Sequence, residues 1–132
     1  MATQGTPFEG LDLIADRTYI SGLDFTLVAY TNTADSLGDS TVYADLTFPT
    51  STNGYAPITL DGTWSSSDGV ITYVHSTPTH PEWIATGSWS ATVTGVAIVY
   101  NSATLVHFKD LSVPFTAADG KILTVDLDTV LA

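Results

Sequence analysis

Short runs of β-branched and aromatic residues recur along this chain, and clusters of turn-forming residues separate them. Phe25–Tyr30, residues 42–48 and residues 70–75 are three such runs, each bounded by Gly, Asn, Asp or Pro. These runs are typical of strands, because branched and aromatic side chains pack well on a pleated surface. The pattern predicts an all-β fold for the chain after residue 22.

The second half of the chain adds further strand candidates, at residues 89–94, 96–100, 105–108 and 122–127. Gly95 interrupts an otherwise apolar run, which predicts a bulge or a bend there. Asp119 and Gly120 form a turn-prone pair before the last candidate. About seven or eight short strands at this spacing predict a single antiparallel β-sandwich, jelly-roll-like in organisation, or a barrel.

Loops and the chain start complete the predicted organisation. Turn formers are dense in four segments, which we predict to be loops: residues 32–40, 49–55, 65–69 and 76–81. Near the start, Leu11 and Ile14 share one side of a 3.6-residue repeat, so a short helix and an extended arm are both possible. The predicted domains are therefore an arm or helix over residues 1–20 and a β-sandwich over residues 21–132.

The charge balance is strongly acidic. Fourteen Asp and Glu residues face three Lys and Arg residues, giving a formal net charge of −11. This balance argues against affinity for nucleic acid phosphates or anionic lipid. The longest apolar stretch is also far shorter than the ~20 residues that span a bilayer as a helix. We expect neither nucleic acid nor a membrane as a partner.

Motifs that carry catalysis are absent from the sequence. It contains no Gly-x-Ser-x-Gly elbow and no glycine-rich phosphate-binding loop. Asp126 and Asp128 would share one face of a strand, but a solvated face near a chain end explains them better than a paired acid and base. We expect no enzyme activity and no catalytic residue.

Metal-ligating residue types are present without a metal-binding spacing. His75, His80, Glu82 and His107 could be imagined around zinc, yet their spacing matches no zinc motif. The chain has no cysteine, and its acidic loops offer calcium only an opportunistic site. The sequence therefore predicts no metal site and no cofactor.

The tryptophans are candidate binding residues, because flat aromatic rings stack on sugars and anchor protein interfaces. Trp89 begins an alternating run and is predicted to pack in the core. Trp83 follows His80, Pro81 and Glu82 in a predicted loop, so it is the tryptophan that we expect to be exposed and to contact a partner.

Several segments together resemble a known family. They are residues 27–32, residues 54–60, Trp64, residues 89–99, residues 105–108 and residues 118–125. Read in order, they resemble small structural proteins encoded among the head genes of tailed bacteriophages, over roughly residues 23 to 131. The positions that carry the pattern are Asn32, Gly54, Tyr55, Trp64, Trp89, Gly95 and Gly120.

The resemblance implies a virion component. It implies a cement or decoration protein on the capsid exterior, assembled in the host cytoplasm, that binds and stabilises the major capsid protein lattice as a homo-oligomer, a dimer or a trimer. A head–tail joining or tail accessory protein is an alternative. A carbohydrate- or receptor-binding module, with Trp83 and Tyr55 holding a glycan, is another.

The N-terminal segment supplies the predicted anchors for the capsid. Phe8, Leu11 and Ile14 are apolar residues that we expect to order on binding as part of an arm. The competing interpretation is that this segment packs on its own sandwich.

Overall fold

The described part of the chain is built from antiparallel strands. The structure, a computed structural model, describes residues 4, 5, 7, 25–67, 70–76 and 80–126. Its strands are β1 (Gln4–Gly5), β2 (Phe25–Tyr30), β3 (Ile58–Thr59), β4 (Thr63–Ser67), β5 (Val70–Val74), β6 (Glu82–Ile84), β7 (Val93–Tyr100), β8 (Thr104–Phe115) and β9 (Ile122–Thr124), with one 3-10 helix, η1 (Tyr43–Asp45). The predicted all-β class is confirmed.

The strands form one larger sheet and two ribbons. The five-stranded sheet has the order β1-β8-β7-β2-β3, and β4–β5 and β6–β9 each form a two-stranded ribbon. All the pairings are antiparallel. No helix among the described residues is long and apolar enough to cross a membrane.

The five-stranded sheet is buried on both faces. In β2, Leu27 and Ala29 belong to one hydrophobic core, while Val28 and Tyr30 belong to a second core. The first core contains the buried residues of β6 and β9 and the aromatic residues Tyr55, Trp83 and Trp89. The second core is covered by residues from the 37–48 segment. Burial on both faces explains why β2 and β7 are nearly continuous apolar runs.

The 42–48 segment was predicted to be a strand, and that prediction is wrong. Its central residues form η1, and the carboxylate of Asp45 accepts the backbone N–H of Val42 at 3.0 Å. Tyr43 and Phe48 are half-buried against the second core. The apolar spacing of this segment therefore serves a tight turn that lies across a core, rather than a pleated strand.

Several predicted boundaries also change. The loop predicted at residues 65–69 is wrong for residues 65–67, because they continue β4 and pair with residues 70–72 of β5. Backbone pairing thus overrides the turn tendency of three serines. The run predicted from residue 89 becomes a strand only at Val93. Within the run predicted over 122–127, Ile122–Thr124 form β9, and residues 125 and 126 lie outside the strand.

The N-terminal arm or helix can be followed only in part. Residues 8–20, including Phe8, Leu11 and Ile14, lie outside the described residues. Before them, Gln4 and Gly5 pair with Lys109 and Phe108 of β8, and Pro7 is fully buried. For these first residues, packing on the chain's own sheet is what the structure shows.

A pronounced irregularity separates the two halves of β8. Gly95 pairs with Asp110, but Val93 pairs with Phe115, so residues 111–114 stand opposite Thr94 alone. β7 runs through Gly95 in regular register with β2, so the irregularity predicted at Gly95 takes the form of extra residues on its partner strand, β8. Val113, in this bulged segment, is 75% exposed.

Candidate functional site

Two adjoining cavities lie where β8 passes β9. A cavity of about 520 Å³ is lined by Val96, Ile98 and Leu111 of the large sheet and by residues 124–126. A second cavity, of about 420 Å³, lies between residues 111–116 and residues 121–123. Leu111 and Ser112 line both. We call the two cavities together the β8–β9 groove.

The groove carries both of the lysines in the chain. Lys109 lines the larger cavity and Lys121 the smaller one. Asp110 and Asp126 also line the larger cavity. In a chain with fourteen acidic and three basic residues, this mixture makes the groove less negative than the charge balance of the chain as a whole. The groove therefore combines apolar walls with charges of both signs.

His107 lies in the larger cavity and is held in its neutral form. Burial, together with the nearby Lys109 ammonium, lowers the pKa of His107 to about 4. At neutral pH its imidazole can donate from one ring nitrogen and accept at the other. A neutral imidazole has no acidic proton to give at that pH, so His107 is unsuited to general acid catalysis there.

A hydrogen-bonded carboxylate, that of Asp110, lines the larger cavity. Asp110 accepts the Tyr30 hydroxyl at 2.5 Å and the Asp35 backbone N–H at 2.6 Å. Burial, and then the hydrogen bond and charge of Asp110, raise the pKa of Tyr30, so the phenol stays protonated. The arrangement fixes β8 to the loop after β2 and leaves Tyr30 in a structural role.

Trp83 was predicted to lie exposed in a loop, and that prediction is wrong. Trp83 is the central residue of β6, is only 2% exposed, and donates its indole N–H to the Ala56 carbonyl at 2.7 Å. Pairing with Leu123 directs it into the first core. Pro81 and His80 suggested a loop, but the strand begins immediately after them.

Tyr55 and Trp89 join Trp83 in one buried aromatic cluster. The Tyr55 ring centroid lies 5.6 Å from that of Trp83 and 5.2 Å from that of Trp89. The core position predicted for Trp89 is confirmed, and its indole N–H donates to the Asn53 carbonyl at 2.9 Å. Sugar stacking needs an exposed ring face, so neither Trp83 nor Tyr55 can serve as a glycan platform in this conformation.

Asn32 ties β2 to the segment that covers the second core. Its side-chain N–H donates to the Asp45 carbonyl at 2.8 Å, and its carbonyl oxygen accepts the Thr47 N–H at 2.9 Å. The neighbouring backbone bond, from Thr31 N–H to the Thr47 carbonyl, measures 2.8 Å. Asn32 thus holds this connection through both ends of its amide.

The remaining pattern positions are scattered rather than gathered in a site. Gly54 has a φ of 92°, and an added Cβ would overlap the Ile84 carbonyl. Gly120 has a φ of 84° in the turn before β9. Trp64 lies in β4 opposite Tyr73. These residues shape turns and pairings at separate places.

The histidines outside the groove form separate contacts with single carboxylates. His75 lies 3.9 Å from Asp61, and His80 lies 3.8 Å from Asp126. Over residues 25–67, 70–76 and 80–126, with the three described N-terminal residues, no group of three or more His, Asp or Glu side chains could hold a metal ion.

An exposed aliphatic pair on the β6–β9 ribbon was missed by the sequence reasoning. Ile84 and Ile122 are opposite each other in the register and are 52% and 51% exposed. Their buried neighbours Trp83 and Leu123 point the other way. The alternation of buried and exposed residues along these short segments was the sequence signal for the pair. The prediction that Trp83 lies in a loop hid this alternation.

Comparison with known proteins assigns no family. The chain matches no protein-family model, no curated protein and no solved structure. The residues around the groove and the β6–β9 ribbon are therefore the structural basis for a functional proposal.

Proposed function

We propose that this chain is a non-enzymatic structural protein of a tailed-phage virion, a cement or decoration protein that binds the major capsid protein lattice from outside. The observation that supports a protein partner is the kind of apolar surface that the chain exposes. The large apolar side chains exposed among the described residues are all Val or Ile. The described aromatic side chains are buried or half-buried. Aliphatic surface of this kind favours a protein partner over a glycan.

The charge and composition support the same class of partner. A net charge of −11 keeps such a protein away from packaged nucleic acid while leaving neutral protein surface accessible. Only 13% of the residues are charged, so contact with another protein removes few charged groups from water. The resemblance to phage head proteins supplies the identity of the lattice.

The Ile84–Ile122 pair and the β8–β9 groove are the surfaces that we assign to the capsid. The pair offers two half-exposed side chains for burial. Each would contribute on the order of 1 kcal/mol to the binding free energy. Lys109 and Lys121 add attraction for carboxylates on the partner. Phe8, Leu11 and Ile14 remain proposed anchors of an arm outside the described residues.

Co-sedimentation tests this proposal. Purified chain is mixed with purified tailed-phage capsids, and the bound copy number is measured. We expect saturable binding near the lattice copy number. Ile84→Lys should weaken it, while Val74→Lys, at a 47% exposed position on β5, serves as a matched control. Absence of binding contradicts the capsid assignment and favours a tail accessory role.

The arm requires its own test, because removing it also removes β1. Deleting residues 1–16 should abolish capsid binding if Phe8, Leu11 and Ile14 are anchors. The triple substitution of these residues by Ser keeps Gln4 and Gly5 on β8 and is the cleaner variant. Full binding by the triple variant would refute the arm.

A further inference from the structure

The β6–β9 ribbon has one strand edge that no described strand covers. On the side toward β6, the Val125 N–H donates to the Pro81 carbonyl at 2.9 Å, and the Lys121 carbonyl accepts the Ala85 N–H at 2.8 Å. Successive residues of an antiparallel strand direct their backbone groups to opposite sides. Ile122 and Thr124 therefore direct their N–H and C=O groups away from β6. Within the described part of the chain, no strand pairs with that side of β9.

The outward N–H and C=O groups of Ile122 and Thr124 can hydrogen-bond to the same groups of a second copy of the chain. If two β9 strands meet antiparallel with Leu123 on the two-fold axis, Ile122 of each copy stands opposite Thr124 of the other. In that register each Ile122–Thr124 pair exchanges both backbone hydrogen bonds. An isologous contact requires this reciprocity, in which the same patch serves on both copies.

The side chains around the edge are compatible with the same register. Lys121 stands opposite Val125 of the other copy, and Asp126 stands opposite Gly120, so no like charges face each other directly across the junction. The exposed Ile84 and Ile122 extend the apolar surface across the junction of the two ribbons. Apolar neighbours across strands stabilise such a pairing.

We propose that two copies of this chain pair through their β9 edges, making a continuous four-stranded sheet in the order β6-β9-β9-β6. This pairing rests on the proposed function, for which the resemblance to phage head proteins implies a homo-oligomer, and it assigns the contact surface between the copies. A strand of three residues, Ile122–Thr124, buries less than the roughly 1,200 Å² of a stable standard interface, so the free pair is weak. Neighbouring sites on a lattice would raise the effective concentration and strengthen it.

Amide hydrogen exchange tests the edge directly. The Ile122 and Thr124 amides should exchange fast at low protein concentration and become protected as concentration rises, in step with the dimer fraction measured by sedimentation. The Leu123 and Val125 amides should stay protected throughout, because they face β6. A chain that remains monomeric at millimolar concentration, or self-association without protection of Ile122 and Thr124, would overturn the proposal.

Thr124→Pro removes the outward N–H and no hydrogen bond to β6, and proline is tolerated at such an edge position. Two symmetric bonds are lost in the dimer, so self-association should weaken about tenfold or more. Thr124→Val keeps the N–H and should self-associate like the parent chain. Retained protection of the Leu123 and Val125 amides shows that the proline variant is folded. Ile122→Lys, which places a charge at the edge, is an independent second variant.

The two proposals fail separately. A proline variant that is monomeric but still binds capsids supports the edge pairing and shows that capsid binding does not depend on it. A proline variant that self-associates like the parent overturns the edge pairing, whatever its affinity for capsids. Loss of capsid binding by the parent chain, with dimerisation intact, would overturn the proposed function alone.

Discussion

At the scale of single residues, Gly95 and Tyr30 fit closely together in the large sheet. The two residues are partners in the β2–β7 register, and a Cβ at Gly95 would overlap the Tyr30 ring. Gly95 is therefore required by packing, because it lies under an aromatic ring whose hydroxyl is fixed to Asp110.

Gly95→Ala should lower the free energy of unfolding by about 2–3 kcal/mol, because a buried ring and its hydrogen bond must shift. Gly120→Ala is the control, since nothing lies within 4 Å of its added Cβ and only its φ of 84° opposes the change. It should cost about 1 kcal/mol. Denaturant unfolding of both variants measures the difference, and equal costs would contradict the packing argument.

His107 should make stability fall as the solution is acidified. Its folded pKa of about 4 lies below the ordinary 6.5, so the unfolded chain takes up a proton at a higher pH than the folded chain does. This contribution is fully present above pH 6.5 and is lost as the pH falls toward 4. His107→Gln should flatten the dependence of the melting temperature on pH in that window. An unchanged slope would contradict a neutral, half-buried His107.

At the scale of elements, β6 depends on its one large side chain. Trp83 packs on Tyr55 and binds the Ala56 carbonyl, so it joins β6 to the loop before β3. Trp83→Ala should lower the free energy of unfolding by about 3–5 kcal/mol. Trp83→Phe keeps an aromatic ring, loses the N–H donor, and should cost less. Thermal melts and denaturant titrations measure both, and a mild effect of the alanine variant would indicate an exposed residue.

Sequence patterns predicted the strands that are apolar over several residues and missed those that are not. Phe25–Tyr30 and Val70–Val74 were recognisable because branched and aromatic residues dominate them. Glu82–Ile84 and Ile58–Thr59 are too short for a period to emerge. The 42–48 segment has the composition of a strand, yet the side chain of Asp45 turns its backbone into η1.

The candidate site was less predictable than the fold. Placing Ile84 and Ile122 together requires the β6–β9 pairing, which joins segments far apart in the chain. The groove depends on how β8 passes β9, and a single sequence carries no information on that crossing. What the sequence did convey was the acidic balance and the core position of Trp89.

At the scale of the whole molecule, net charge should govern the response to salt. Fourteen acidic residues against three basic ones repel one another across a small domain, and dissolved ions screen that repulsion within about 10 Å at 0.1 M. The melting temperature should therefore rise from low to moderate NaCl concentration at neutral pH. Replacing the exposed Asp39 and Asp119 by Asn should reduce the rise. A melting temperature that falls with salt would show that attractive ion pairs outweigh the repulsion.

The two-sided burial of β2 and β7 has a consequence for how the domain comes apart. Neighbouring residues along β2 serve different cores, so Leu27 cannot leave its place without moving Val28. The same strands form one side of both hydrophobic cores, so the loss of packing in one core also disturbs the backbone that supports the other core. We therefore expect the two cores to unfold together as one cooperative unit, without a populated intermediate that keeps one core and loses the other.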